Sequence, residues 1–422
     1  MSEQTITGWR NKNVWAISLS AFFADLGYQT ILAGFPILLV IILKQPYWEY
    51  GLATAISYGG GAIFSYYGAK IGSKIGHRRL ALIGNSAIPL LSLCALVANP
   101  AWAIGLLVGG WWSRNLRSPS RRVMLVEAVP VEKSRAKAFG FMHGLDVGGG
   151  AMAGLFLAIA LEFHLPIKWT FLITIAPLLA STYSLSRSDV GSNPKEIAMR
   201  SAEQKTDTPA EHEPEETSDH LDKGHYLKSA SNKLILAALL YGFTFYSTGF
   251  LVLTTAKSTN STVGGVIAYL LVQLISALTG YLIAPRIAKN LVWQFASLGS
   301  CGYIAGSLGA VIVAVSAVEH LGFVGLDIGV AVIGFALGIV DTLEPASMSL
   351  VTDKKHIAKG FGSLAAARSM GTFSANLIMG LLYEAGVAYA YGYAAVLALA
   401  AGIAVLLAIP AVAKYTKSVT VS

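Results

Sequence analysis

The sequence predicts an all-α integral membrane protein, with twelve transmembrane helices arranged as two pseudo-symmetric six-helix bundles. Three observations carry this expectation: a composition too apolar for a water-facing surface, twelve hydrophobic runs of spanning length, and motifs that recur between the halves. Over 422 residues, hydrophobic residues make up 54% and charged residues 13%, about half the roughly 25% typical of soluble domains. A chain this poor in charge turns its surplus apolar surface towards lipid. Soluble enzymes, nucleic-acid binders and disordered scaffolds are set aside on that ground.

A spanning helix needs roughly 20 mostly apolar residues. Runs of that kind lie at 14–42, 49–71, 80–98, 101–119, 137–160, 166–186, 233–256, 263–285, 291–315, 322–345, 360–383 and 388–411. At such lengths the backbone satisfies its own hydrogen bonds as helix, not as barrel strand. With a cytosolic N-terminus, only Lys44, Lys168 and Lys257 fall in the outer loops. The inner loops hold Arg10, Lys12, Lys74, Arg78, Arg79, Arg121, Arg122, Lys133, Arg135, Lys137, Arg286, Lys289, Lys354, Lys355, Lys359, Lys414 and Lys417. This asymmetry puts both termini in the cytosol of a cell (inner or plasma) membrane. The polar start, Met1 to Asn13, carries no small-residue cleavage site and reads as no removable signal peptide.

The net charge of +8 is unevenly spread: residues 188–231 carry −5 and the remainder +13. That acidic, Ser- and Thr-rich stretch reads as a flexible cytosolic linker, dividing a bundle at 1–187 from one at 232–422. Its His212, His220 and His225 stand among carboxylates, where a solvated linker is favoured over a metal-sensing loop. Cys94 and Cys301 lie in apolar runs and fit neither a disulfide framework nor a metal site. No cofactor is implied.

The halves echo each other. Lys137-Ala-Phe139-Gly140 matches Lys359-Gly-Phe361-Gly362, and Pro119 and Pro345 each stand eight residues before an acid, Glu127 and Asp353. Parallel six-helix halves around a midplane site are a recurrent transporter plan.

These residues resemble the major facilitator superfamily over nearly the whole chain. The loop Ala69-Lys-Ile-Gly-Ser73-Lys74-Ile-Gly76-His77-Arg78-Arg79 is similar to the family's Gly, Asp, Arg, Gly and basic-cluster signature. Ala69 and Ser73 replace its first Gly and its Asp. Arg114, Arg117, Pro119, Arg121, Glu127, Pro130, Arg135, Phe139, Gly140, His143 and Asp146 resemble a pattern of prokaryotic members of unassigned substrate. Gly144, Gly148, Gly149 and Gly150 are similar to half of the antiporter glycine motif. The resemblance implies the major facilitator fold and a cavity formed by helices 1, 4, 7 and 10 with help from 2, 5, 8 and 11.

A charge near the bilayer centre costs roughly 2.5–3.5 kcal/mol, so each embedded one needs a reason. Two buried ion pairs are expected, Arg114 with Asp146 and Asp341 with Arg368, offsetting much of that cost. Lower on helices 4 and 10, Arg117 and Glu344 are expected to close an inner gate as a bridge between bundles. Asp25 sits about 18 Å into helix 1 by the helical rise, with no cation at its depth. Burial disfavours a charged carboxylate, which suits Asp25 to proton coupling. An acid on helix 1 is also what the resemblance to antiporters implies. Expected cavity residues are Tyr28, Gln29, Tyr58, Trp111, Tyr241, Tyr246, Tyr269 and Gln273, aromatic walls with polar anchors that suit an amphipathic organic solute.

The first reading is thus a secondary transporter, a proton-coupled antiporter exporting a small organic compound. Its partners are that substrate, protons and the lipid bilayer, with no nucleic acid, and it works as a monomer. Uptake of an organic anion on Arg114 and Arg368 is one alternative, and metal-ion efflux another. An intramembrane enzyme is not expected: Asp146 follows Gly144-Leu145 and so lacks the Gly-x-Gly-Asp aspartyl centre, and no His-Glu-x-x-His pair occurs.

Overall fold

A computed structural model describes residues 10–129, 132–191, 218–352 and 357–420, with side chains except at 132–134, 136, 218–225, 357–359, 361 and 418–420. Most of the expected linker, including His212, and the side chains of His220 and His225 lie outside the described residues. Among those described, every regular element is helical. Among the described residues, eight helices are long and apolar enough to cross a membrane: Lys12–Ile42, His77–Leu96, Lys137–Glu162, Ile167–Ser186, Thr262–Ile287, Leu291–Val318, Gly322–Val351 and Val387–Lys417.

In chain order, α1 is Lys12–Pro36, extended by a wider turn over Ile37–Ile42. Asn11 starts it by accepting from the Val14 N–H at 3.0 Å, as an N-cap side chain does. Then come α2 (Tyr47–Ile75), α3 (His77–Ala87, continued as a 3₁₀ helix over Ile88–Leu96), α4 (Pro100–Ala128) and α5 (Glu132–Glu162). α6 runs in two pieces, Ile167–Ile173 and Ile175–Ser186. Pro119 lies inside α4 and Pro345 inside the later helix Gly322–Val351. The expectation that runs end at 119 and 345 is therefore corrected: each helix continues past its proline. Neighbouring helices make such a proline tolerable in a membrane helix.

The first unit holds α1, the part of α2 from Ile56 onward, and α3 to α6. α1 packs chiefly against α5 and α6, and α3 against α4. Gly76 turns α2 into α3 at φ +96°, a left-handed conformation that glycine adopts without strain. Beyond it Arg78 donates from Nε to the Ser188 carbonyl at 2.6 Å and from Nη2 to that of Ser186 at 2.8 Å. The guanidinium thus caps the end of α6, where helix carbonyls lack partners and the dipole favours a cation. Beside α1, Gly149 lets α5 come close: a Cβ there would overlap the Phe22 carbonyl oxygen and lie 3.1 Å from the Asp25 Cβ.

The second unit holds Gln45–Ala55 together with α7 to α12. These are α7 (Ser218–Gly242, then Gly249–Thr259), α8 (Thr262–Leu278, continuing to Ile287), α9 (Leu291–Ser297 to Val318), α10 (Gly322–Val351), α11 (Ile357–Ala385) and α12 (Val387–Leu406, then Ile409–Thr420). α10 packs on α8 and α9, and α7 on α11 and α12. The continuous run expected at 233–256 is corrected by a break at 243–248. There Gly242 meets α11, and a Cβ on Gly371 would stand 2.5 Å from the Phe243 nitrogen. The freed Ser247 N–H donates to Oδ1 of Asn376 at 2.8 Å, and Asn376, fully buried, donates to the Thr372 carbonyl at 2.8 Å. Non-helical backbone at membrane depth requires this kind of protein partner.

Candidate functional site

In the first unit the polar groups gather around α1. Asp25 is buried, with 7% exposure. Tyr28, one turn along, donates its hydroxyl hydrogen to Oδ1 of Asp25. Arg114 of α4 donates from Nη2 to the Tyr28 hydroxyl oxygen at 3.2 Å. Its guanidinium carbon also lies 5.2 Å from the Tyr28 ring centre and 4.9 Å from that of Trp111, within the range of cation–π attraction. Trp111 stands edge-on to Tyr28 at 5.8 Å and to Tyr58 at 5.4 Å. Gln29 faces Gly150 of α5, 3.8 Å from where a Cβ would be.

Two expectations change here. Asp25 is not remote from cations: Arg114 reaches it through Tyr28. Depth measured along the backbone left out the length of the arginine side chain, which spans more than one helical turn. Asp146 pairs with Arg121, at 3.3 Å, and not with Arg114. Positions 114 and 121 are seven residues apart, two turns on one face of α4. The face was right and the turn was wrong.

The two expected inner-gate residues each have partners within their own unit. Arg117 is fully buried within the first unit, where Nη1 donates to Oδ1 of Asn85. Asn85 in turn donates to the hydroxyls of Ser181 at 3.0 Å and Thr182 at 2.9 Å, and Ser181 donates to the Ser20 carbonyl at 2.7 Å. A polar chain therefore ties α4, α3, α6 and α1 together. Glu344 is likewise engaged inside the second unit, 1% exposed. It accepts from the Tyr303 hydroxyl at 2.5 Å and from Arg368 at 3.5 Å.

In the second unit Arg368 donates to Asp341 at 2.7 Å and to Glu344, so one guanidinium meets two carboxylates. It stacks over Phe245 at 4.8 Å and Tyr241 at 5.8 Å. Tyr241 in turn packs on Tyr303 at 4.8 Å. Tyr246 lies in the α7 break against Tyr391 and Phe250. On α8, Tyr269 is buried and Gln273 half-buried. Asn85, Arg121 and Tyr303 were not anticipated. For Arg121 the seven-residue spacing was a usable signal; for Tyr303 and Asn85, only their polarity within apolar runs.

In the Asp25–Tyr28–Arg114 row the phenol donates to the carboxylate and accepts from the guanidinium. An ionised carboxylate only accepts, whereas a protonated one presents a donor. A proton on Asp25 would add a donor to the row, leave a carboxyl oxygen able to accept from Tyr28, and cancel the negative charge facing Arg114. Among the described residues, no group of three or more His, Cys, Asp or Glu side chains is placed to hold a metal ion.

A family model described as Major Facilitator Superfamily matches residues 17–343. No curated protein matches the chain. Among solved structures, a peptide transporter POT in complex with alafosfalin aligns at TM-score 0.74 and 12% identity, over 98% of this chain and 99% of that one. A POT family transporter in complex with 5-aminolevulinic acid aligns at 0.70 and 12%, over 96% and 99%. The nucleoside transporter NupG aligns at 0.67 and 14%, over 94% and 98%. Identities this low establish the fold and leave the cargo open.

Proposed function

Because the chain belongs to the major facilitator superfamily, and is thus a multi-pass membrane transporter rather than an enzyme, we propose that it moves a small organic solute by proton-coupled antiport with Asp25 as the proton site. The observation that carries the reading is the Asp25–Tyr28–Arg114 row, in which one proton adds a donor and cancels a negative charge. The reading includes twelve spans in two bundles at 1–187 and 232–422, joined by a cytosolic linker at 188–231. Both termini face the cytosol, the host is the cell membrane, and the chain works as a monomer.

Organic-anion uptake fits less well. Arg368 already faces Asp341 and Glu344, and Arg114 is engaged with Tyr28 and Trp111. Metal efflux draws no support from the described residues.

The test uses proteoliposomes with a pH gradient and a panel of organic dyes, anions and metal ions. The wild type is expected to move an organic compound against the proton gradient. Asp25→Asn is expected to lose gradient-driven accumulation and to keep solute-for-solute exchange. Unchanged gradient dependence in Asp25→Asn removes that carboxylate from coupling.

A further inference from the structure

The charges inside the two units balance differently. In the second, one arginine, Arg368, faces two carboxylates, Asp341 and Glu344. In the first, the partners of Arg114, Arg117 and Arg121 include two carboxylates, Asp146 directly and Asp25 through Tyr28. Arg121 takes Asp146, and Arg114 reaches Asp25 through Tyr28. Arg117 remains. It has no exposed surface, and its one hydrogen bond is to the neutral amide of Asn85.

Four N–H-bearing nitrogens point to what completes this cluster. Nε and Nη2 of Arg117, and Nε and Nη1 of Arg121, are buried and donate to no acceptor among the described residues. Arg121 itself is 6% exposed. The two side chains are one helical turn apart, and each lies within range of the other's charge. A guanidinium does not give up its proton in a protein, and an uncompensated charge in apolar surroundings is costly. Water would satisfy the N–H groups without supplying the missing charge.

We infer that Arg117 and Arg121 hold a small inorganic anion of halide size inside the first unit. A carboxylate on a transported solute has similar chemistry, and comparing halides with acetate and benzoate separates the two sources. A Cβ on Gly84 would lie 3.0 Å from the Arg117 Cβ, so α3 and α4 are in contact at the root of that side chain. Neither Arg117 nor Arg121 belongs to the proposed proton row, so this inference stands apart from the transport reading.

Thermal unfolding of the purified full-length protein in detergent tests it, with sodium chloride or bromide compared with sodium gluconate at equal ionic strength and no solute present. A ligand that binds only the folded state raises stability with the logarithm of its concentration. Chloride and bromide are expected to raise the midpoint in a saturable way, and acetate and benzoate to leave it at the gluconate value. Arg117→Gln is expected to lose the halide response, whereas Arg79→Gln, at an exposed position, retains it. Should Arg117→Gln fail to fold, Asn85→Asp serves instead: it places a carboxylate against Arg117 and is expected to abolish the halide response in a folded protein. Equal midpoints in chloride and gluconate for the wild type would overturn the inference. So would a halide response that survives Asn85→Asp, or a response to benzoate alone, which would assign the site to a solute.

Discussion

The choice of Arg121 over Arg114 as the partner of Asp146 gives a quantitative prediction. At 3.3 Å the gross attraction of two unit charges is about 5 kcal/mol with an effective dielectric constant near 20. Desolvation and the long N···O distances reduce the net value. Removing one member of a buried pair typically costs about 3–5 kcal/mol, because the other is left uncompensated. Here Asp146 keeps 20% side-chain exposure, which places Arg121→Gln near the lower end, about 3 kcal/mol. Asp146→Asn is expected to cost a similar amount, and the double substitution less than the sum by about 1–3 kcal/mol. The same cycle built on Arg114 and Asp146 should couple by less than half as much, since these two share no hydrogen bond. Unfolding midpoints of the purified variants, followed by tryptophan fluorescence, measure all six species. Equal coupling in both cycles, or stronger coupling through Arg114, would refute the assignment.

Three further outcomes follow from the same geometry. Tyr28→Phe removes the hydroxyl that joins Asp25 to Arg114, so the pH profile of transport should shift and stability should fall by about 1–3 kcal/mol; an unshifted profile would exclude the phenol from proton handling. Asn376→Ala leaves the Ser247 N–H of the α7 break without its acceptor, a loss of about 1–3 kcal/mol that should appear as a lower midpoint. Gly149→Val presses on the Phe22 carbonyl and on Asp25, and the overpacking is expected to cost about 1–3 kcal/mol and to lower transport with it.

How far the sequence could be read depended on the kind of signal. Helical architecture was legible because a backbone in lipid must satisfy its own hydrogen bonds and the apolar runs have the length of spanning helices, not barrel strands, and among the glycines at 148–150 Gly149 sits at a close approach between α1 and α5. The embedded charges were legible as a set, because each is costly enough to need a partner. Partner choice was less so, since it turns on side-chain reach: Arg114 and Arg121 share a face of α4, and only tertiary packing decides which one meets α5. The α7 break left almost no local mark. Residues 243–248 contain no proline, and the interruption is held from outside, by Gly371 and Asn376 on α11. The bond from Arg117 to Asn85 on α3 was not legible, because the linear sequence does not place that acceptor beside α4.

The break in α7 also makes that helix two levers joined end to end. The first carries Tyr241 beneath the Arg368 guanidinium. The second is bolted at Thr254, whose hydroxyl shares bonds with Tyr383 at 2.7 Å and Tyr391 at 2.8 Å. A displacement of Tyr241 can tip the near lever while the far one stays fastened, with the Ser247–Asn376 bond as the pin. An unbroken rod would have to swing as a whole and tear out both tyrosine anchors for the same displacement.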